Sequence, residues 1–198
     1  GDKYKFFGGR TQELEKRTKV KARIVSHALE GLILESSKVI IMGHSNSDMD
    51  CVGSSMGIYR LAKTLEKDAY IVLNPRGDNL SAFLNELKEN KEYDDVIIDS
   101  DEALDILDDD TLLVVVDTNK KNYVESPELL SAAKKIMVVD HHRRSPDYIE
   151  NATLTFHEVY ASSASELVTE LVEYAQKEVK LTSLEAEALY SGIMMDTK

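Results

Sequence analysis

The chain has 198 residues and a formal net charge of −12, from 24 lysines and arginines against 36 aspartates and glutamates. That balance excludes a duplex nucleic-acid scaffold held by basic phosphate contacts, and a hydrophobic content of 42% excludes wholesale disorder. A single cysteine, Cys51, excludes an internal disulfide, and no apolar run approaches the roughly 20 residues that cross a bilayer, so the piece is expected to be soluble and suited to a reducing cytoplasm.

Residues 1–23 carry eight basic and three acidic side chains, whereas the remainder is strongly acidic, and this break predicts a boundary at 37/38. From Thr11 to Ser36, Leu14, Val20, Ile24, Ala28, Leu29, Leu32 and Ile33 recur at helical spacing, which predicts an amphipathic connector helix. Short β-branched runs follow at Val39–Met42, Tyr70–Leu73, Val96–Ile98, Leu112–Val116 and Ile136–Val139. Continuous apolar strands of this length suit a parallel sheet covered on both faces. Helical candidates at 51–66, 79–90, 101–108 and 127–134 lie between them, the last opened by Ser126-Pro127. The expected fold is α/β, a doubly wound, mainly parallel five-stranded sheet preceded by the connector helix.

Twelve acids and two lysines at 86–110 lack the spacing of a calcium loop and read as a solvated surface. Ser163-Ala-Ser-Glu166 and Thr182-Ser-Leu-Glu185 fit the capping box and announce two closing helices. The second ends at Met195-Asp196-Thr197 with no turn residue and no following strand, which suggests a piece of a larger protein.

In an open parallel sheet, ligands gather beyond the carboxyl ends of the strands. Here those positions hold His44, Asp48 and Asp50 after the first strand, Asp117-Thr118-Asn119 after the fourth and Asp140-His141-His142 after the fifth. Each carboxylate buried there would cost several kcal/mol unless a cation neutralised it, so a metal site is the economical reading. Asp48 and Asp50 can point to different ions, His44 can join the first, and Asp117 can bridge both. Two ions roughly 3.5–4 Å apart are the geometry used for displacement at phosphorus. Carboxylate and imidazole donors without thiolate favour Mn²⁺ and leave Mg²⁺, Co²⁺ and Fe²⁺ open.

Gly43-His44-x-x-x-Asp48-x-Asp50, Val114-Val115-Val116-Asp117, Val138-Val139-Asp140-His141-His142-Arg143-Arg144 and Gly192-Ile193-Met194-Met195-Asp196-Thr197 resemble the four ordered motifs of the DHH phosphoesterase superfamily. The Asp-His-His-Arg-Arg form of the third motif, Ala161-Ser162-Ser163, and the upstream segment resemble in particular the GdpP-type cyclic-di-AMP phosphodiesterases. In those proteins Tyr4–Arg10 and Glu15–Thr18 would correspond to the end of a degenerate GGDEF domain and its linker, giving 1–37 as upstream segment and 38–198 as DHH domain. A companion C-terminal substrate domain would lie beyond this chain.

The resemblance implies that His44, Asp48 and Asp117 hold one Mn²⁺ and that Asp50, Asp117, His141 and Asp196 hold the other. Asp140 would orient a neighbouring imidazole and His142 would face the substrate phosphate. The reaction implied is hydrolysis of cyclic di-AMP to pApA by a metal-activated water. An oligoribonuclease or pApA hydrolase of the same superfamily, or a signalling module with little turnover, are the alternative readings. The substrate partner would be a cyclic dinucleotide, with no membrane contact by this piece, a parent anchored in the cell membrane with the site on its cytoplasmic side, and a homodimer left open. Ser47 stands where many relatives have proline. Cys51 reads as a small buried residue, His27 and His157 as ordinary histidines, and Arg143 and Arg144 as solvated.

Overall fold

The computed structural model describes residues 8–74 and 80–197, with side chains from Lys19 onward. The first part of the segment likened to an upstream domain, residues 4–7, lies outside the described residues. Six strands, β1 (Val39–Met42), β2 (Ala69–Val72), β3 (Ile97–Ile98), β4 (Leu112–Val116), β5 (Lys135–Asp140) and β6 (Leu154–His157), form one sheet in the order β3-β2-β1-β4-β5-β6. Every pairing is parallel. The helices are α1 (Gly8–Glu35), α2 (Met49–Thr64), α3 (Ser81–Glu89), α4 (Ser100–Ile106), α5 (Pro127–Ala132), α6 (Ala164–Glu173) and α7 (Ser183–Asp196).

Strands β1 and β4 are buried along their whole length, because helices cover both faces. Val39, Ile41, Val114, Val116, Met137 and Val139 point into one core with α1, α2, α6 and α7. Ile40, Met42, Leu113, Val115, Ile136 and Val138 point into the other with α4 and α5. This alternation of faces is the period of two that a strand imposes. The chain winds outward from β1 through β2 to β3, then returns to β4 and winds the other way. The strand order therefore reverses between β1 and β4, and a crevice opens beyond their carboxyl ends.

Two expectations are corrected. The sheet has a sixth strand, Leu-Thr-Phe-His at 154–157, paired to β5 with Asp140 opposite His157. As an edge strand it buries only Phe156 fully and leaves Thr155 exposed, so it has no continuous apolar run to betray it. Helix α1 buries Leu29 and Ile33 as expected, but the face is shifted in its earlier turns. Ala22, Val25, Leu29 and Ile33 enter the core, whereas Val20 and Ile24 are 62% and 64% exposed. The buried face includes Ser26 and Glu30, and their polar groups are satisfied by α6 and by the segment that follows it. Ser26 Oγ donates to the Leu171 carbonyl at 2.7 Å, and Glu30 accepts from the Gln176 backbone and side-chain amides at 2.9 and 3.1 Å.

The two closing helices are capped as expected. Ser163 Oγ accepts from Glu166 N, and Thr182 and Glu185 form a reciprocal box. Fully buried Glu185 also receives Arg60 Nε from α2 at 2.8 Å to each carboxylate oxygen, which ties α7 to α2 with a charge-assisted fork. The approach is close enough that a Cβ on Gly192 would lie 2.3 Å from Ser165 Oγ and 2.9 Å from both Met49 O and Asp50 Cα. No helix among the described residues is long and apolar enough to cross a membrane.

Alanine at 192 would gain helix propensity of about 1 kcal/mol but would force α7 away from backbone that cannot yield. Gly192→Ala is expected to lower stability by a net of about 1–2 kcal/mol, read as a reduced urea midpoint with unchanged slope. A midpoint at or above wild type would show that the contact is not tight.

Candidate metal centre

Beyond β1 the chain turns sharply at Gly43, where a Cβ would lie 1.9 Å from Cys51 Sγ. Residues 43–45 then pair with 123–125: Glu125 N donates to Gly43 O and Ser45 N to Tyr123 O, both at 2.9 Å. This short ribbon lays the His44 ring on Tyr123, with centroids 5.3 Å apart and planes within 8°. His44 Nε2 is thereby aimed at Asp117, 3.3 Å from Oδ2, with Asp48 Oδ1 3.9 Å away. Asp48 is also the N-cap of α2, accepting from Asp50 N and Cys51 N at 3.0 and 3.1 Å.

Asp117 follows β4 with φ of +58°, a left-handed conformation that costs a non-glycine residue about 1–3 kcal/mol and marks a constrained site. Its carboxylate is buried and divides its oxygens, Oδ2 toward His44 and Oδ1 toward His141 Nε2 at 3.4 Å. His141 Nε2 in turn faces two further carboxylates, Asp196 at 3.3 Å and Asp50 at 3.7 Å. None of these separations is a hydrogen bond of ordinary length, and His141 Nε2, Asp117 Oδ1 and His44 Nδ1 are buried without a partner.

Imidazole nitrogen and carboxylate oxygens that converge but do not touch are what a cation between them requires. Three groups place their donor atoms within 4.8 Å of one another: Asp117-His141-His142, in which His142 Nδ1 is already bonded to Asp140, and the two clusters His44-Asp48-Asp117 and Asp50-His141-Asp196. Asp117 faces both, so the donor set fits a pair of divalent cations. The six residues expected as ligands, His44, Asp48, Asp50, Asp117, His141 and Asp196, thus lie together.

The two final helices complete the arrangement. Asp50 is fully buried, and its carboxylate accepts from Ala164 N and Ser165 N at 2.7 Å each, in the first turn of α6. Such a helix N-terminus supports negative charge. Burial and then the charge of Asp117 nevertheless push the Asp50 carboxyl up to about 6. Burial also raises Asp196, with Asp117 adding to it. Burial pulls His141 down, but the Asp117 contact and charge outweigh it and hold the ring up to about 9. Burial opposes ionisation of Asp117 too, and His141 and His44 overcome it and keep that carboxyl low.

Asp140, fully buried at the end of β5, belongs to the layer behind. Its Oδ1 accepts from His142 Nδ1 at 2.9 Å and its Oδ2 from the Asn119 amide. The imidazole it orients is thus that of His142, whose other nitrogen is left for the half-exposed outer side. The hydrogen bond that His142 donates to Asp140 raises its pKa against the effect of burial. Asn119 Oδ1 also receives Ser145 N at 3.1 Å, so this side chain clamps the loop after β5.

Sequence reasoning missed the clamp by Asn119, the stacking of Tyr123 and the two α6 amides on Asp50. The Ser163-to-Glu166 cap was the one available signal for the last. Cys51 is buried in α2, and burial followed by the charge of Asp117 pushes its thiol up, so it has no nucleophilic character. Arg144 lies over the Tyr148 ring, 4.6 Å from its centroid, away from the cluster.

A doubly wound α/β domain with carboxylates and imidazoles gathered at its switch point is the class of protein in which metal-assisted phosphoryl chemistry is built. The DHH family, N-terminal domain, matches residues 38–193, and the chain belongs to that family. It is 46% identical over 198 residues to the cyclic-di-AMP phosphodiesterase GdpP of Bacillus subtilis (strain 168), covering 99% of this chain and 30% of that protein. It is 43% identical over 198 residues to the cyclic-di-AMP phosphodiesterase PdeA of Listeria monocytogenes serotype 1/2a (strain 10403S), with the same coverage of 99% and 30%. The chain therefore spans 30% of the length of these relatives. Its fold is similar to that of an exopolyphosphatase-related protein from Bacteroides fragilis, with a TM-score of 0.70 and 21% identity over 88% of this chain and 50% of that one.

A cation at this site must displace the proton held by His141 and, at lower pH, that of Asp50. Divalent-metal affinity is expected to rise from about pH 6 to about pH 9, with roughly one proton released per cation at the His141 end. Calorimetry in buffers of different ionisation enthalpy measures this, and a pH-independent affinity would contradict it. The metal-free fold should show the reverse trend. His141, raised above its ordinary 6.5, contributes stability that is complete below that value and lost as pH rises through about 9.

Proposed function

We propose that this chain carries the hydrolytic residues of a manganese-dependent phosphodiesterase that opens cyclic di-AMP to pApA. The observation that carries the reading is Asp117, buried between His44 and His141 with one oxygen toward each. The kinship with two cyclic-di-AMP phosphodiesterases supports the substrate. Oxygen and imidazole donors without thiolate support Mn²⁺.

In this reading His44, Asp48 and Asp117 hold one cation, and Asp50, Asp117, His141 and Asp196 hold the other. When bound, the cations supply charge for the phosphoryl oxygens and lower the pKa of a water toward neutrality. Asp140 fixes His142 with its Nδ1–H inward, so that Nε2 is the atom presented to the substrate. His142, raised by that bond, keeps a proton available for the departing 3′-oxygen or holds the phosphate by donating to it. Asn119 and Asp140 keep the loop in place behind it. The same reading assigns 1–37 to an upstream domain and linker and 38–198 to the DHH domain, within a membrane-anchored parent whose site faces the cytoplasm. The likeness of Tyr4–Arg10 and Glu15–Thr18 to the end of a GGDEF domain supports it.

Mn²⁺-dependent hydrolysis of cyclic di-AMP by the full chain should vanish in Asp117→Ala. In His142→Ala kcat is expected to fall about 10²- to 10⁴-fold with Mn²⁺ binding retained. Full activity of Asp117→Ala would overturn the mechanism. Preference for pApA or short RNA would shift the assignment to an oligonucleotide hydrolase, and metal binding without turnover would leave a signalling module.

A further inference from the structure

The end of β6 touches the catalytic loop on one side and α1 on the other. His157 Nε2 lies 2.5 Å from the His142 carbonyl, which can only accept, so the His157 ring donates to it. The backbone there is already joined to β5, since Glu158 N donates to Asp140 O at 3.2 Å. On its far side the same turn is held by Lys21 of α1. Lys21 Nζ donates to His157 O at 3.1 Å, pairs with the Glu158 carboxylate and lies 5.6 Å from the Phe156 ring centroid. One lysine thus engages three consecutive residues of the strand end.

The loop after β5 is held at a few points. Asp140 holds the His142 ring, Asn119 receives Ser145 N and donates to the Arg143 carbonyl at 3.4 Å, and His157 holds the His142 carbonyl. His142 is half-exposed, so packing alone does not set the position of its ring. We propose that His157 is a positioning residue for His142, and that Lys21 holds His157 in place, so that the position of α1 is registered at the imidazole that meets the phosphate. His157 touches no reacting group; it acts through the carbonyl of the residue that does, and its Nε2 also lies 3.9 Å from Oδ2 of Asp140, the carboxylate that orients the His142 ring. This inference rests on the hydrolytic reading for its kinetic consequence, though not for its geometry.

Three variants of the full chain test it. His157→Phe keeps a ring and removes the donor, His157→Gln returns an N–H at the reach of Nε2, and Lys21→Met releases the strand end from α1 without altering either histidine. With Mn²⁺ and cyclic di-AMP, His157→Phe is expected to lower kcat about 10- to 100-fold while KM and Mn²⁺ affinity stay within about twofold. His157→Gln should recover to within about threefold of wild type, and Lys21→Met should lose about threefold in kcat. In a His142→Ala background the Phe substitution should change kcat by less than about twofold, because the residue it positions is gone.

The ring ¹H–¹⁵N signal of His142 Nδ1–H supplies a readout that needs no substrate. It should move in His157→Phe and Lys21→Met and return in His157→Gln. An unmoved signal in His157→Phe overturns the proposal, as does a parallel loss of Mn²⁺ affinity, failure of Gln to rescue, or an undiminished effect in the His142→Ala background. If wild type hydrolyses no cyclic di-AMP while the signal responds as described, the substrate reading fails and the positioning role stands.

Discussion

A carboxylate buried between two imidazoles is the constraint around which this domain is arranged. Asp117 is shielded from water, and although burial opposes its charge, His44 and His141 hold its carboxyl low. Its backbone adopts a left-handed conformation to aim one oxygen to each side. Three more carboxylates, Asp48, Asp50 and Asp196, crowd the same space. Such a concentration of charge is tolerable only with compensating cations or protons.

The sheet makes that convergence possible. Because β1 lies between β2 and β4, and β4 between β1 and β5, the segments leaving three adjacent strands open into one crevice. Two helices later in the sequence return to it. The first turn of α6 places two backbone amides on Asp50, and α7 crosses against α2 at Gly192 to deliver Asp196 one turn further on. The Arg60–Glu185 fork is well away from the chemistry, yet it fixes the helix on which the last carboxylate rides. Similarly, α1 is no loose tether: Ala22, Val25, Leu29 and Ile33 are packed in the main core.

Much of this was readable from residue order. Buried parallel strands declare themselves by continuous β-branched runs, and the residues just beyond them are forced to the sheet's carboxyl edge, so His44, Asp48, Asp50, Asp117, Asp140 and His141 could be named before any coordinates. Caps at Ser126, Ser163 and Thr182 were legible because short polar side chains at helix starts have few other uses. What escaped depends on packing between distant segments. β6 alternates instead of running apolar, and α1 buries Ser26 and Glu30 in preference to Val20 and Ile24 because α6 and the segment after it offer them partners. The stacking of Tyr123 on His44 joins positions 79 residues apart, and the bond from His157 to the His142 carbonyl joins the end of β6 to the loop after β5, two strands whose pairing had not been anticipated. No local pattern encodes either contact.

In the proposed reading one buried aspartate serves two cations at once. Electron paramagnetic resonance of the protein titrated with Mn²⁺ tests this most directly, because two manganese ions that share a carboxylate are magnetically coupled. A coupled dinuclear spectrum that grows as the second equivalent binds, and is lost in Asp117→Asn, is the predicted result. Spectra of isolated ions only, at every ratio of metal to protein, would contradict it.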